Sequence, residues 1–136
     1  MNPALINWPA VFVAALSAFM VGGLWYSPKV FGTAWMTDTN LTQEEIQKGN
    51  KAKIFGMTAI FSLFMAVDLA FFLASPTMPL TPAWGAQAGF YAGIWTFSAI
   101  AIHSLFEQKN WRLIFINGGY SVVSLMLMGA ILGAWR

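Results

Sequence analysis

The sequence predicts an all-α membrane protein: a single four-transmembrane-helix bundle over residues 1–136, with both termini on the non-cytoplasmic side. Three observations lead there. Apolar residues fill 58% of the 136 positions and charged residues only 9%, whereas a soluble domain carries about a quarter charged residues and somewhat under half apolar. A soluble fold of this size could not hide so much apolar surface, because small domains bury only part of what the chain exposes. The apolar residues also fall into four runs of about 20 residues or slightly more, each able to cross a core of roughly 30 Å at 1.5 Å per residue. Finally, the basic residues gather in two of the three connections.

The first run is Ile6 to Trp25. It has no positively charged n-region, is too long for the apolar part of a signal peptide, and leads into Trp25-Tyr26-Ser27-Pro28 in place of a small-residue cleavage site. It therefore reads as a retained span. The connection 27–53 is mixed. Val30 to Met36 is apolar and aromatic enough to lie along the headgroups, and Thr42-Gln43-Glu44-Glu45 reads as a capping box opening a short helix that Gly49 ends. The second run is Ile54 to Ala74, followed by a stiff hairpin, Ser75 to Pro82, with three prolines and no charge. The third is Ala83 to Phe106 and the fourth Leu113 to Trp135. Membrane strands are about 10 residues with strict alternation, so runs of this length close their hydrogen bonds as helices.

Orientation follows from charge. The two connections on one side hold Lys29, Lys48, Lys51, Lys53, Lys109 and Arg112, against Arg136 alone on the other. The positive-inside rule makes the first and third connections cytoplasmic, in a multi-pass protein of the plasma (inner) membrane. Asn40-Leu41-Thr42 matches a glycosylation sequon, whose use would place the first loop outside; such three-residue matches arise often by chance, and the charge bias outweighs it. Trp8, Trp84 and Trp135 fall near outer ends, and Trp25, Tyr26 and Trp111 near inner ends, as aromatic belts require. Tyr91 and Trp95 lie near mid-span and do not fit the belts.

Helices associate in lipid through close approach of small residues. Each span offers a stripe at a spacing of four: Ala10, Ala14, Ala18, Gly22; Ser62, Ala66, Ala70, Ala74; Gly85, Gly89, Gly93; Gly129, Gly133. One reading is packing within the chain. The other is that a stripe, most plausibly that of the third span, builds a homo-oligomer, since closed symmetric assembly gives a thin four-span object an interior.

Two polar residues are costly enough to need a reason. Asp68 is the only charged side chain deep within a span, and an ionised carboxylate there costs at least a few kcal/mol. Counting inward from the span ends puts Tyr91 at nearly its level and Ser124 not far away. Asp68 shares a helix face with Phe61, Phe64 and Phe72, away from its own small-residue stripe. It is read either as a hydrogen-bonded structural carboxyl or as a proton or cation site. His103, the only histidine, lies about one turn from the inner end of the third span with Glu107 four residues on. Asn117, Tyr120 and Thr58 lie at comparable depth, so His103 is read either as a histidine hydrogen-bonded at a helix end or as one of five residues forming a polar cluster at the inner mouth.

The remaining chemistry is mostly exclusion. A net charge of +2 with no basic cluster among exposed aromatics argues against nucleic acid. Cysteine is absent, and no nucleophile stands beside a base. No cofactor motif is present, and one histidine with one glutamate is too few ligands for a metal. No catalytic residue is assigned.

Asn7-Trp8, Gly23-Leu24-Trp25-Tyr26-Ser27-Pro28, Phe31-Gly32 and Trp35-Met36 resemble the signature of a small four-span family known as domain of unknown function seventeen-sixty-one. His103-Ser104-Leu105-Phe106-Glu107, Trp111 and Asn117-Gly118-Gly119-Tyr120 are similar to that family's second half. The resemblance covers most of the chain and implies a fold and no activity. It implies that Trp25, Tyr26, Pro28, Phe31, Gly32 and Trp35 form a shared pattern, for packing or for binding. Two better-understood four-span groups fit less well: small multidrug transporters carry a glutamate in the first span, and four-span glutathione-handling enzymes carry several arginines near their helix ends. The sequence thus predicts a non-enzymatic structural or lipid- and partner-associating bundle, its partners being membrane lipids and further copies of itself. The alternative is a small homo-oligomeric transporter or channel with Asp68 as its proton or cation site.

Overall fold

The computed structural model describes residues 1–135, so Arg136, the one basic residue on the terminus side, lies outside the described residues. Six α-helices follow a single 3-10 turn at Pro3–Leu5: α1 (Trp8–Trp25), α2 (Gly32–Thr39), α3 (Gln43–Lys48), α4 (Lys51–Leu73), α5 (Pro82–Phe106) and α6 (Trp111–Ala134). Four of them, α1, α4, α5 and α6, are long and apolar enough to cross a membrane. Their starts are set by polar caps. Asn7, Asn50, Thr81 and Asn110 each accept a backbone N–H from three residues on, satisfying one of the donors a helix N-terminus leaves open. Pro9 and Pro82 stand in first turns, where no intrahelical N–H is needed. Pro82 therefore opens α5 and does not end the hairpin.

α6 is the hub, packing against α1, α4, α5 and α2, while α1 also packs on α4. The tightest seam joins α5 to α6. A Cβ at Gly85 would collide with the backbone of Gly129, one at Gly89 with the carbonyl of Leu125, and one at Gly133 with the carbonyl of Thr81. Gly93 lies against Val122 in the same way. The third span's stripe thus packs against α6 inside the chain, the first of its two readings. The stripes Ala10, Ala14, Ala18 and Ser62, Ala66, Ala70, Ala74 are buried as well.

Between Trp25 and Lys51 the chain forms two short helices. Residues 32–39 form α2, which folds back onto α6. Asn40, in the left-handed conformation (φ 56°), ends α2, and Thr42 opens α3 with the predicted capping box completed by Glu45. Both polar residues of the sequon thus hold helix ends. One side of the bundle stays open: α4 and α5 are neighbours in sequence but barely meet.

Candidate functional site

At the loop end, α1, α2 and α6 are locked by aromatic side chains with polar tips. Trp25 Nε1 donates to the Ile116 carbonyl at 2.8 Å, Tyr26 hydroxyl to Asn117 Oδ1 at 2.8 Å, and Tyr120 hydroxyl to the Ala18 carbonyl at 2.9 Å. Tyr26 meets Tyr120 and Trp35 edge-to-face at centroid distances of 5.4 and 5.8 Å, and Trp25 lies 4.8 Å from Phe31. Burial, and then the neighbouring Tyr120, pushes the Tyr26 phenol well above its ordinary value. Small residues make the room. Trp25 stands 3.1 Å from where a Cβ on Gly119 would lie, Gly118 seats the Phe97 ring, and Gly32 lies where a Cβ would strike the Tyr26 carbonyl. Beside this junction Arg112 donates twice to Asp38, at 2.7 and 2.6 Å. The Asp38 side chain is 4% exposed, and the guanidinium holds its carboxyl below the usual carboxylate range.

The open side presents a different surface. A groove of about 630 Å³ runs between α4 and α5, lined by Asp68, Phe72, Tyr91, Trp95 and Thr96 and floored by Leu125 of α6. Its composition follows from helix geometry. Asp68 lies two residues from both Ala66 and Ala70, and Tyr91 two residues from both Gly89 and Gly93, hence on the far side of each helix from its packed stripe. Once α1 and α6 take the small-residue faces, these side chains are left facing outward. Tyr91 is 61% and Trp95 82% exposed, and Asp68 is exposed too. Among the described residues Asp68 makes no hydrogen bond or ion pair. The Thr96 hydroxyl is already given to the Ala92 carbonyl at 3.0 Å. A second hollow, at the terminus end beside Leu5, Ala74 and Trp135, holds only about 20 Å³, room for about one water.

Residues 9–133 match the family described as protein of unknown function (DUF1761). The chain belongs to this family. No curated protein and no solved structure matches it.

The DUF1761 match spans both the junction and the groove, and among the residues that resemble the family's pattern those around residues 25–35 and 117–120 have packing work, while His103, Leu105, Phe106, Glu107 and Trp111 are exposed. Trp25, Tyr26, Phe31, Gly32 and Trp35 meet one another or the first half of α6, where Asn117, Gly119 and Tyr120 are their counterparts and Gly118 faces Phe97 of α5 instead. Pro28 lies exposed in the turn that leads into α2.

Of the expected intramembrane site, Asp68 and Tyr91 do share one groove. Ser124 does not join them. It is 2% exposed and its hydroxyl has no hydrogen-bond partner among the described residues. Of the expected inner-mouth cluster, Asn117 and Tyr120 come together around Tyr26. His103, Glu107 and Thr58 stand apart: all three are exposed, the Thr58 hydroxyl bonds its own helix at Ile54, and no hydrogen bond among the described residues joins them to Asn117 or Tyr120. Asn117 and Tyr120 face α1, which α5 does not substantially touch. No group of three or more His, Cys, Asp or Glu that could hold a metal lies among the described residues.

Sequence reasoning missed the Asp38–Arg112 pair and the groove. The one available signal for the pair was opposite charge in two connections assigned to the same side. For the groove it was the misfit of Tyr91 and Trp95 with the interface belts.

Proposed function

We propose that this DUF1761 protein is a multi-pass plasma-membrane protein without enzymatic activity, which holds a lipid-soluble ligand or partner in the groove between α4 and α5. One observation carries the reading: a bundle packed backbone to backbone along α5 and α6 stands open on one side, and that side holds Asp68, a charged residue five positions inside the end of α4. Concave, mostly apolar sites with a few polar groups are the usual form of small-molecule sites. The non-enzymatic part rests on the hydroxyls, since Ser17, Ser27, Thr58, Thr96 and Ser98 bond carbonyls of their own chain and none stands beside a base. The cytoplasmic position of the loop end rests on its six basic residues.

Photolabelling in native membranes with an apolar diazirine tests the association. Label on the groove face of α4 and α5 should fall when excess unlabelled apolar compound is added, because a site saturates. Label on Phe12 and Leu16, exposed on α1, should not. Equal, non-saturable labelling of both faces would remove the reading.

A second reading is favoured by the meeting of Asp68 and Tyr91 in one groove: a small homo-oligomeric transporter or channel with Asp68 as its proton or cation site. It requires ion or solute flux in liposomes that a normally folded Asp68→Asn variant loses. Flux that survives the substitution, or is absent from the native protein, eliminates it.

A further inference from the structure

We propose that the groove binds a lipid-soluble organic cation, its positive centre against the Asp68 carboxylate and its apolar arms along Phe72, Tyr91 and Trp95. This rests on the groove being a site of association.

The argument begins with an unmet charge. Asp68 faces the groove without a partner among the described residues. A carboxylate in hydrocarbon needs a proton or a counter-charge, and Asp is among the costliest residues at such a depth. Among the described residues no counter-charge pairs with it. Lys51 and Lys53 lie 17 and 15 residues back along α4, roughly 25 and 22 Å along the axis. Arg112 is at the loop end, held by Asp38. His103 lies twelve residues beyond Tyr91, about 18 Å away along α5. A second copy of the chain seated on the groove would bring another Asp68 and the same distant cations, so a partner that carries its own positive charge is the better complement.

The remaining lining selects the kind of cation. A hard metal ion needs several oxygen ligands. Here the Asp68 carboxylate and the Tyr91 hydroxyl are the available oxygens, because the Thr96 hydroxyl is committed to its own helix. Aromatic rings are abundant instead, and their faces attract cations, tryptophan most strongly. Trp95 and Tyr91 stand exposed away from the interface belts, in the position such contacts would use. The groove, about 630 Å³, falls within the size range of drug-sized sites. A quaternary ammonium or phosphonium centre with apolar substituents fits all three features at once.

The test uses the full chain in nanodiscs of neutral lipid, with tetraphenylphosphonium as probe and tetraphenylborate, of nearly the same shape and opposite charge, as control. Empty discs set the non-saturable background. Saturable phosphonium binding is expected, with affinity lowered at least tenfold in Asp68→Asn, retained in Asp68→Glu, and lowered several-fold in Trp95→Leu. Near-ultraviolet circular dichroism of the seven tryptophans checks that each variant is folded. Equal binding of the borate, or phosphonium binding indifferent to Asp68→Asn, would overturn the cation while leaving an apolar site of association intact. Absence of saturable binding by either probe, with Trp95→Cys chains forming disulfide-linked pairs in the membrane, would overturn both, because a second copy would then cover the groove.

Discussion

The α5–α6 seam and the α4–α5 groove share one helix and are built in opposite ways. On one face of α5, Gly85, Gly89 and Gly93 let the backbone of α6 approach so closely that no side chain fits between. On the other face, Tyr91, Trp95 and neighbouring side chains stand out from the bundle with nothing packed over them. Lipid supplies no hydrophobic drive for helices to associate, so backbone proximity and interhelical hydrogen bonds do the work. A face of bulky aromatic side chains cannot be drawn in that way. The contrast separates what holds this molecule together from what it has left over for a ligand.

Substitutions should therefore split by face. Gly89→Leu drives a side chain into the Leu125 carbonyl and should cost about 3 kcal/mol or more, read as loss of folded protein in detergent-titrated unfolding. Trp95→Leu in the groove should change stability by no more than about 0.5 kcal/mol in the same assay. Similar losses from both would mean that the groove is closed and the contrast false. Gly32→Ala places a methyl against the Tyr26 and Ser27 carbonyls, which are backbone and cannot swing away. It should cost about 1–3 kcal/mol, with faster amide exchange confined to α2. Tyr26→Phe leaves Asn117 without its 2.8 Å donor and should cost about 1 kcal/mol.

The smallest effect is a pH dependence at the Asp38–Arg112 pair. The Asp38 carboxyl is held below its ordinary value by Arg112, so its contribution is complete above the unfolded carboxylate value of about 3.9. That contribution is lost as pH falls through the lower folded value. Unfolding of the native protein should become easier below about pH 4, and Asp38→Asn should flatten that part of the profile. An unchanged profile would mean that the pair contributes nothing to holding α2 on α6.

Much of the framework was legible in the residues. Span lengths, the small-residue stripes and the Thr42–Glu45 capping box all follow from local rules, because a helix in lipid satisfies its own backbone and its start needs only a nearby side-chain oxygen. α2 was harder. Gly32 to Thr39 has no polar cap at its start, Phe31 making no side-chain bond there, and its place is fixed by contacts such as Trp35 on Tyr26. The expected inner-mouth cluster shows the same limit. Comparable depth in the bilayer put His103 beside Asn117 and Tyr120, but depth says nothing about rotation around the helix axis. α6 turns Asn117 and Tyr120 toward α1, while His103 lies exposed on α5.

The sequence by itself determined that this chain has four helices long and apolar enough to cross a membrane, and that Asp68 stands opposite the small-residue face of α4. These are properties of composition and of 3.6-residue periodicity, which each segment carries alone. Only the tertiary structure decided which stripe meets which. It spent the α5 glycines on α6, locked the aromatic pattern of residues 25–35 onto the start of α6, and left α4 and α5 apart with Asp68 between them. The reason is that small residues mark a face as able to pack without naming its partner. The partner is chosen by the competition among all four helices for the few backbone-close contacts available.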